Sequence, residues 1–192
     1  MGAARDTFAH AGYHATAMDD IAERAGVSKP VLYQHFTSKI ELYLALLDQQ
    51  VETLVTLIHS ALRSTDDNEQ RLAATVEAYF EFVDTPEGAY RLVFESDFVA
   101  EPDVKNRVES VTDLCASAIG EVVSEDTGLD KDEAFLIGVC LAGSAQACAA
   151  RWVALGRAVP RDRAAALVTS LGWRGLTSLP LTRDEVHALG SD

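Results

Sequence analysis

Lys29, Tyr33, Gln34 and His35 bring an ammonium, a phenol, a carboxamide and an imidazole onto one short stretch of chain. Such a set suits the edges of nucleobases and the oxygens of phosphates. Gln34 can pair with the two hydrogen-bonding positions of an adenine edge, and Lys29 can reach a guanine edge or a phosphate. Thr16, expected at a helix N-terminus, can offer its hydroxyl and nearby backbone N–H groups to a phosphate. For His35, a phosphate contact and a role in holding the turn that follows fit equally well.

The elements that must position these groups are two short helices. Met18, Ile21, Ala22 and Ala25 recur at helical spacing, so one face of the first is apolar. Thr16 stands where an N-cap belongs, with Asp19 three residues on, which predicts a capping box. Gly26 ends that helix, because glycine accepts the positive φ that helix ends need. Val27 is expected to plug the gap between helices, and Ser28 to cap the second, with Pro30 in its first turn. Val31, Leu32 and Phe36 are expected inside.

Phe8, Gly12-Tyr13, Thr16, Ile21-Ala22, Ala25-Gly26-Val27-Ser28, Leu32-Tyr33, His35-Phe36, Ser38-Lys39 and Leu42 together resemble the DNA-binding region of the TetR/AcrR family of transcriptional repressors. The resemblance covers the first quarter of the chain. It implies an all-α protein. Residues 1–45 would form a three-helix helix-turn-helix domain, and residues 46–192 a helical effector-binding and dimerisation domain. It implies a homodimer on a palindromic double-stranded operator, released by a small effector. It places Thr16, Ser28, Lys29, Pro30, Tyr33, Gln34, His35 and Lys39 at the DNA, with Tyr33 and Lys39 at backbone-touching positions. It also implies about two further helical turns ahead of Ala3 to Ala11, the stretch read as the first helix, which Gly12 ends.

The net charge of −14 sits badly with a DNA partner until it is divided. Residues 1–39 hold four basic groups (Arg5, Arg24, Lys29, Lys39) and four acidic ones (Asp6, Asp19, Asp20, Glu23), so the whole −14 lies in residues 40–192. An acidic body repels phosphate and helps orient a neutral head toward it.

Beyond the head the pattern is helical throughout. Ser38 with Glu41 predicts a capping box that opens a helix to about Leu62. Tyr43, Leu47, Val51, Leu54, Ile58 and Leu62 form one strip of it, and Leu42 with Leu46 a second, which suits a connector between two cores. Further helices are expected around Leu72–Val83, from Thr85-Pro86-Glu87 through Tyr90, Phe94 and Phe98, from Pro102 to Val122, from 131 to 156 and from 161 to 173. Residues after Gly175 are expected to be a short extension. The charge-free stretch Ala134–Ala150 approaches the length of a membrane span, but its glycines, alanines, Ser144 and Gln146 favour a buried helix and no membrane. With the helix at 161–173 it is expected to form a four-helix dimer interface, small residues such as Ala142 and Ala145 at its centre. Tyr79, Phe80, Phe94, Phe98 and Trp152, with Cys115, Ser144 and Gln146 as polar groups, are the expected lining of an apolar effector pocket. Its ligand would be neutral or cationic.

Other chemistry finds little support. Cys115, Cys140 and Cys148 show no Cys-x-x-Cys pairing and suit a reducing, cytoplasmic setting. Apart from His10 and His14, which stand four residues apart, the five histidines show no metal-ligand spacing, and neither a phosphate loop nor Gly-x-Ser-x-Gly occurs. No cofactor, metal or catalytic residue is expected, and no secretory signal. The alternatives are a small all-α enzyme using the body's cavity, and a constitutive DNA-binding regulator without a ligand.

Overall fold

The computed structural model describes residues 1–85, 92, 98 and 100–175. Among these residues the structure is helical, without strands. The helices are α1 (Gly2–Ala15), α2 (Met18–Ala25), α3 (Lys29–His35), α4 (Lys39–Leu62), α5 (Asn68–Asp84), α6 (Pro102–Thr127), α7 (Lys131–Ala154) and α8 (Arg161–Arg174). The expected helix through Tyr90 and Phe94 and the extension after Gly175 lie outside the described residues.

α1 to α3 form a head against the start of α4, and α5 to α8 pack with the rest of α4 as a body. The expected boundary at residue 45 falls inside α4, which is continuous. Its two apolar strips explain this. Leu42, Leu46 and Leu47 are buried, as are Tyr43, Leu54, Ile58 and Leu62, so one apolar core runs from Phe8 in the head to Ala165 in the body. Ser38 accepts from the Glu41 N–H at 3.2 Å. Glu41 itself turns to Thr37, taking its N–H and its hydroxyl at 2.6 Å each. Those two bonds hold the Glu41 carboxyl below the usual carboxylate range.

α6 and α7 make the closest helix pair. Gly138 lies against the backbone of Ala116, and Gly120 against Ala134 and Phe135. Ala134, Gly138, Ala142, Ala145 and Ala149 form the buried edge of α7. By length and hydropathy alone α7 could cross a membrane. The small residues account for its place in the body: each removes side-chain bulk at a helix contact. Ala142 and Ala145, expected at a partner surface, are buried in the chain's own core. Asp130 and Glu133 form a reciprocal capping box at the start of α7, a signal in the sequence that the reading above passed over. On α6, Leu114 is 46 % exposed.

Candidate nucleic-acid interface

The turn between α2 and α3 follows from Gly26, which adopts φ 67°, ψ 28°. Its N–H donates to Glu23 O at 3.1 Å, and the Val27 N–H donates to Ala22 O at 3.0 Å. These two bonds close the end of α2 and swing the chain into α3. Leu32 is buried and Phe36 half-buried, and they anchor α3 over Ile21 and Ala22. Ser28 is the N-cap residue of α3, but its side chain makes no capping bond. Val27 and Val31, expected inside, are each 39 % exposed.

Ser28, Lys29, Pro30, Tyr33, Gln34 and His35 are all exposed on this small helix. Lys29 Nζ lies 2.9 Å from Asp19 Oδ1, and that carboxylate pushes the ammonium's pKa up. A pair this exposed is screened by solvent and weak, so Asp19 orients Lys29 without withholding it from a phosphate.

Thr16 and Lys39 sit differently. Thr16 is buried, and its hydroxyl donates to Gly12 O at 2.7 Å. That carbonyl is available because Gly12 breaks α1 at φ 80°, ψ 169°. The N-cap of α2 is therefore Ala17, and Asp20 Oδ2 accepts its N–H at 3.3 Å. This corrects the expected Thr16–Asp19 box by one residue. Lys39 Nζ donates to Tyr13 O at 2.8 Å and Thr16 O at 2.9 Å, and stands 4.4 Å from the centre of the Tyr13 ring. It clamps the end of α1 to the start of α4.

Phe98 was expected in the effector pocket. It stacks instead on Tyr13 of the head, ring centres 3.8 Å apart and planes within 8°. Phe8 and Tyr43 complete this aromatic junction of head and body. Burial, reinforced by the Glu101 carboxylate, pushes the Tyr13 phenol's pKa up.

Of the other expected pocket residues, Phe94 lies outside the described residues. Tyr79, Phe80 and Cys115 are buried in the body's core. Burial pushes both the Tyr79 phenol and the Cys115 thiol up, so both stay neutral. Gln146 Oε1 accepts from the Thr112 hydroxyl at 2.9 Å. Trp152 Nε1 donates to Val159 O at 2.7 Å, and its ring lies against Phe80. Sequence reasoning missed a different cavity, of about 310 Å³, at the far end of the body. Leu62, Leu72, Thr75, Ile119, Leu141 and Trp173 are among the residues of its wall.

A solvent-facing helix held across a glycine turn, on an all-helical body, defines a helix-turn-helix DNA-binding regulator. The family profile described as "Bacterial regulatory proteins, tetR family" matches residues 1–46. The HTH-type transcriptional activator FasR of Mycolicibacterium smegmatis is 46 % identical over 181 residues, covering 94 % of this chain and 83 % of that protein. The chain belongs to the tetR family of bacterial regulatory proteins. It is a transcriptional regulator and not an enzyme. A TetR-like transcriptional regulator from Rhodococcus sp. RHA1 superposes with a TM-score of 0.72 at 30 % identity, over 91 % of this chain and 92 % of that one. FadR from Bacillus subtilis, solved in complex with stearoyl-CoA, shares the fold with a TM-score of 0.77 at 16 % identity, over 91 % and 96 % of the two chains.

Proposed function

We propose that this protein is a ligand-responsive transcriptional regulator that binds a two-fold symmetric operator as a homodimer in the cytoplasm. The observation that carries the reading is the face of α3. Lys29, Tyr33, Gln34 and His35 are exposed together while Leu32 fixes the helix from behind. A dimer would set two such helices about 34–36 Å apart, one DNA turn, in successive major grooves. Gln34 is the base-reading group, Lys29 reads a guanine edge or a phosphate, and Tyr33 and the free Ser28 hydroxyl serve the backbone. The test is selection from a random duplex library with the full chain. It should enrich a palindrome. Gln34→Ala should then relax one base position at a cost of ~1–3 kcal/mol; Lys29→Ala should relax a guanine position where it reads a base edge, and weaken all sequences alike where it holds a phosphate. Enrichment of no symmetric site ends the reading.

The dimer reading draws on apolar surface left on α7, at Leu155 just past its end, and on α8. Leu136 is 64 % and Leu155 60 % exposed, and Ile137, Leu167, Leu171 and Trp173 are also open. Large apolar side chains left open in this number support an association surface. Cys140, Ser144 and Ala147 lie along the same side of α7 at helical spacing and are exposed. Cys140→Glu with Ala147→Glu should leave the subunit folded and convert a dimer to a monomer in light scattering. A wild-type monomer at micromolar concentration refutes the interface.

Effector control is supported by relatives of this fold, one of them solved with stearoyl-CoA. An effector acts only through unequal affinity for the DNA-competent and DNA-incompetent shapes. Repression, the action the sequence resemblance implies, is one outcome of a reporter assay with the selected operator. Activation, the action named for FasR, is the other.

A further inference from the structure

The far-end cavity is walled by helix parts that no DNA contact requires. It lies where α4 ends at Leu62, α5 begins, α6 ends and α8 closes with Gly172 and Trp173. Its walls are aliphatic and aromatic, with Leu72, Ile119, Val122, Val123, Ile137 and Leu141 among them. Polar groups break this pattern at Thr127, whose hydroxyl donates to Val123 O at 2.6 Å, and at two further features. Thr75 is 97 % buried in the wall (3 % exposed), and its hydroxyl has no hydrogen-bond partner. A buried hydroxyl left so is uncommon and destabilising. A threonine in a helix ordinarily donates to the carbonyl one turn back; here the proton is unspent. The second feature is Arg71, whose guanidinium is fully engaged. Nη1 donates to Asp126 at 2.7 Å and Asn68 at 2.9 Å, Nε donates to Thr65 O at 2.7 Å, and Nη2 lies 3.4 Å from Asp66. The single guanidinium is outnumbered by two carboxylates, so the rim offers no surplus positive charge to an anion.

We infer that this cavity is a binding site for a small neutral molecule with an apolar body and one hydrogen-bond acceptor, which takes the Thr75 proton. The volume of about 310 Å³ sits at the lower end of ligand pockets, so the molecule is compact and not a large cofactor-like conjugate. The site differs from the expected one around Tyr79, Phe80, Cys115 and Trp152. It deepens the proposed function by naming an effector class and rests on that reading for its effect on DNA, though not for binding itself. Leu62, the last residue of the connector α4, forms part of the wall, so an occupant bears directly on the helix whose other end holds the head.

The probe is a nine-carbon methyl ketone, compared with the nine-carbon carboxylate, on the full chain. Binding is read by melting temperature and by fluorescence of Trp173, with Trp152→Phe removing the other tryptophan. The ketone should raise the melting temperature, and the carboxylate should bind at least tenfold more weakly. Thr75→Val should raise the melting temperature of the free protein, because it removes the unpartnered hydroxyl, and should weaken the ketone about tenfold. Thr75→Ser should retain ketone binding. No ketone binding, equal affinity for the carboxylate, or unchanged ketone affinity in Thr75→Val overturns the assignment. Ketone binding that needs Thr75 but leaves operator affinity unmoved upholds the cavity and refutes the effector part of the proposed function. Operator binding without ketone binding does the reverse.

Discussion

Gly138→Ala is expected to lower the melting temperature by roughly 4–8 °C, a large loss for one methyl group. A Cβ there would overlap the Ala116 carbonyl oxygen and stand 3.0 Å from its carbon. The obstacle is backbone in the middle of α6, so it cannot turn aside as a side chain would. Overpacking of this kind costs about 3 kcal/mol, against which alanine regains about 1 kcal/mol of helix propensity, leaving roughly 2 kcal/mol of net destabilisation. Gly143 on the same helix supplies the internal contrast, since a Cβ there meets nothing within 4 Å. Gly143→Ala should therefore stabilise by ~0.5–1 kcal/mol. Thermal unfolding by circular dichroism of both variants decides the matter. If Gly138→Ala melts at or above the parent, α6 and α7 do not approach as closely as described.

Lys39→Ala is expected to reduce operator affinity tenfold or more, though Lys39 need touch no phosphate. Its ammonium satisfies the carbonyls of Tyr13 and Thr16 and caps the Tyr13 ring. Losing these charge-assisted bonds should cost the head roughly 3 kcal/mol. The junction of α1 with α2 would then loosen, and α3 is held from that junction. A salt titration separates this reading from direct contact. The slope of log affinity against log salt should stay as in the parent, whereas removal of a phosphate contact lowers it by about one. A lowered slope with an unchanged melting temperature would make Lys39 a phosphate ligand, as the family resemblance implied.

The parts of this architecture that are local were legible from residue types. Gly26 needs its positive φ, Ser38 with Glu41 marks a helix start, and the two strips of α4 demand two neighbours. Each is decided within one or two turns of chain. Some of the misreadings are local and others long-range. Thr16 reads as a cap, but the kink at Gly12 frees a carbonyl that takes its hydroxyl first. Lys39 reads as a free cation, because the carbonyls it clamps lie more than twenty residues earlier in the chain. Phe98 reads as a pocket aromatic, yet its partner is in the head. The alanines of α7 look the same whether they meet a partner or their own core. A cavity is a gap between helix ends, and no spacing of apolar residues encodes where packing fails to close.

The head's own ion pairs carry a consequence for how the protein searches a genome. Lys29 is matched by Asp19, and Arg24 lies 3.8 Å from Asp6. With a net charge of zero over residues 1–39 and −14 behind it, the head gains little from DNA as an anonymous polyanion. Sequence-independent affinity, which scales with the phosphates neutralised, should be low and steeply lost with salt only in proportion to those few contacts. Millions of competing sites then sequester few molecules, and most of the population stays free to diffuse. Occupancy of the operator would be set by what Gln34 and Lys29 read in the groove, with little titration by the rest of the chromosome.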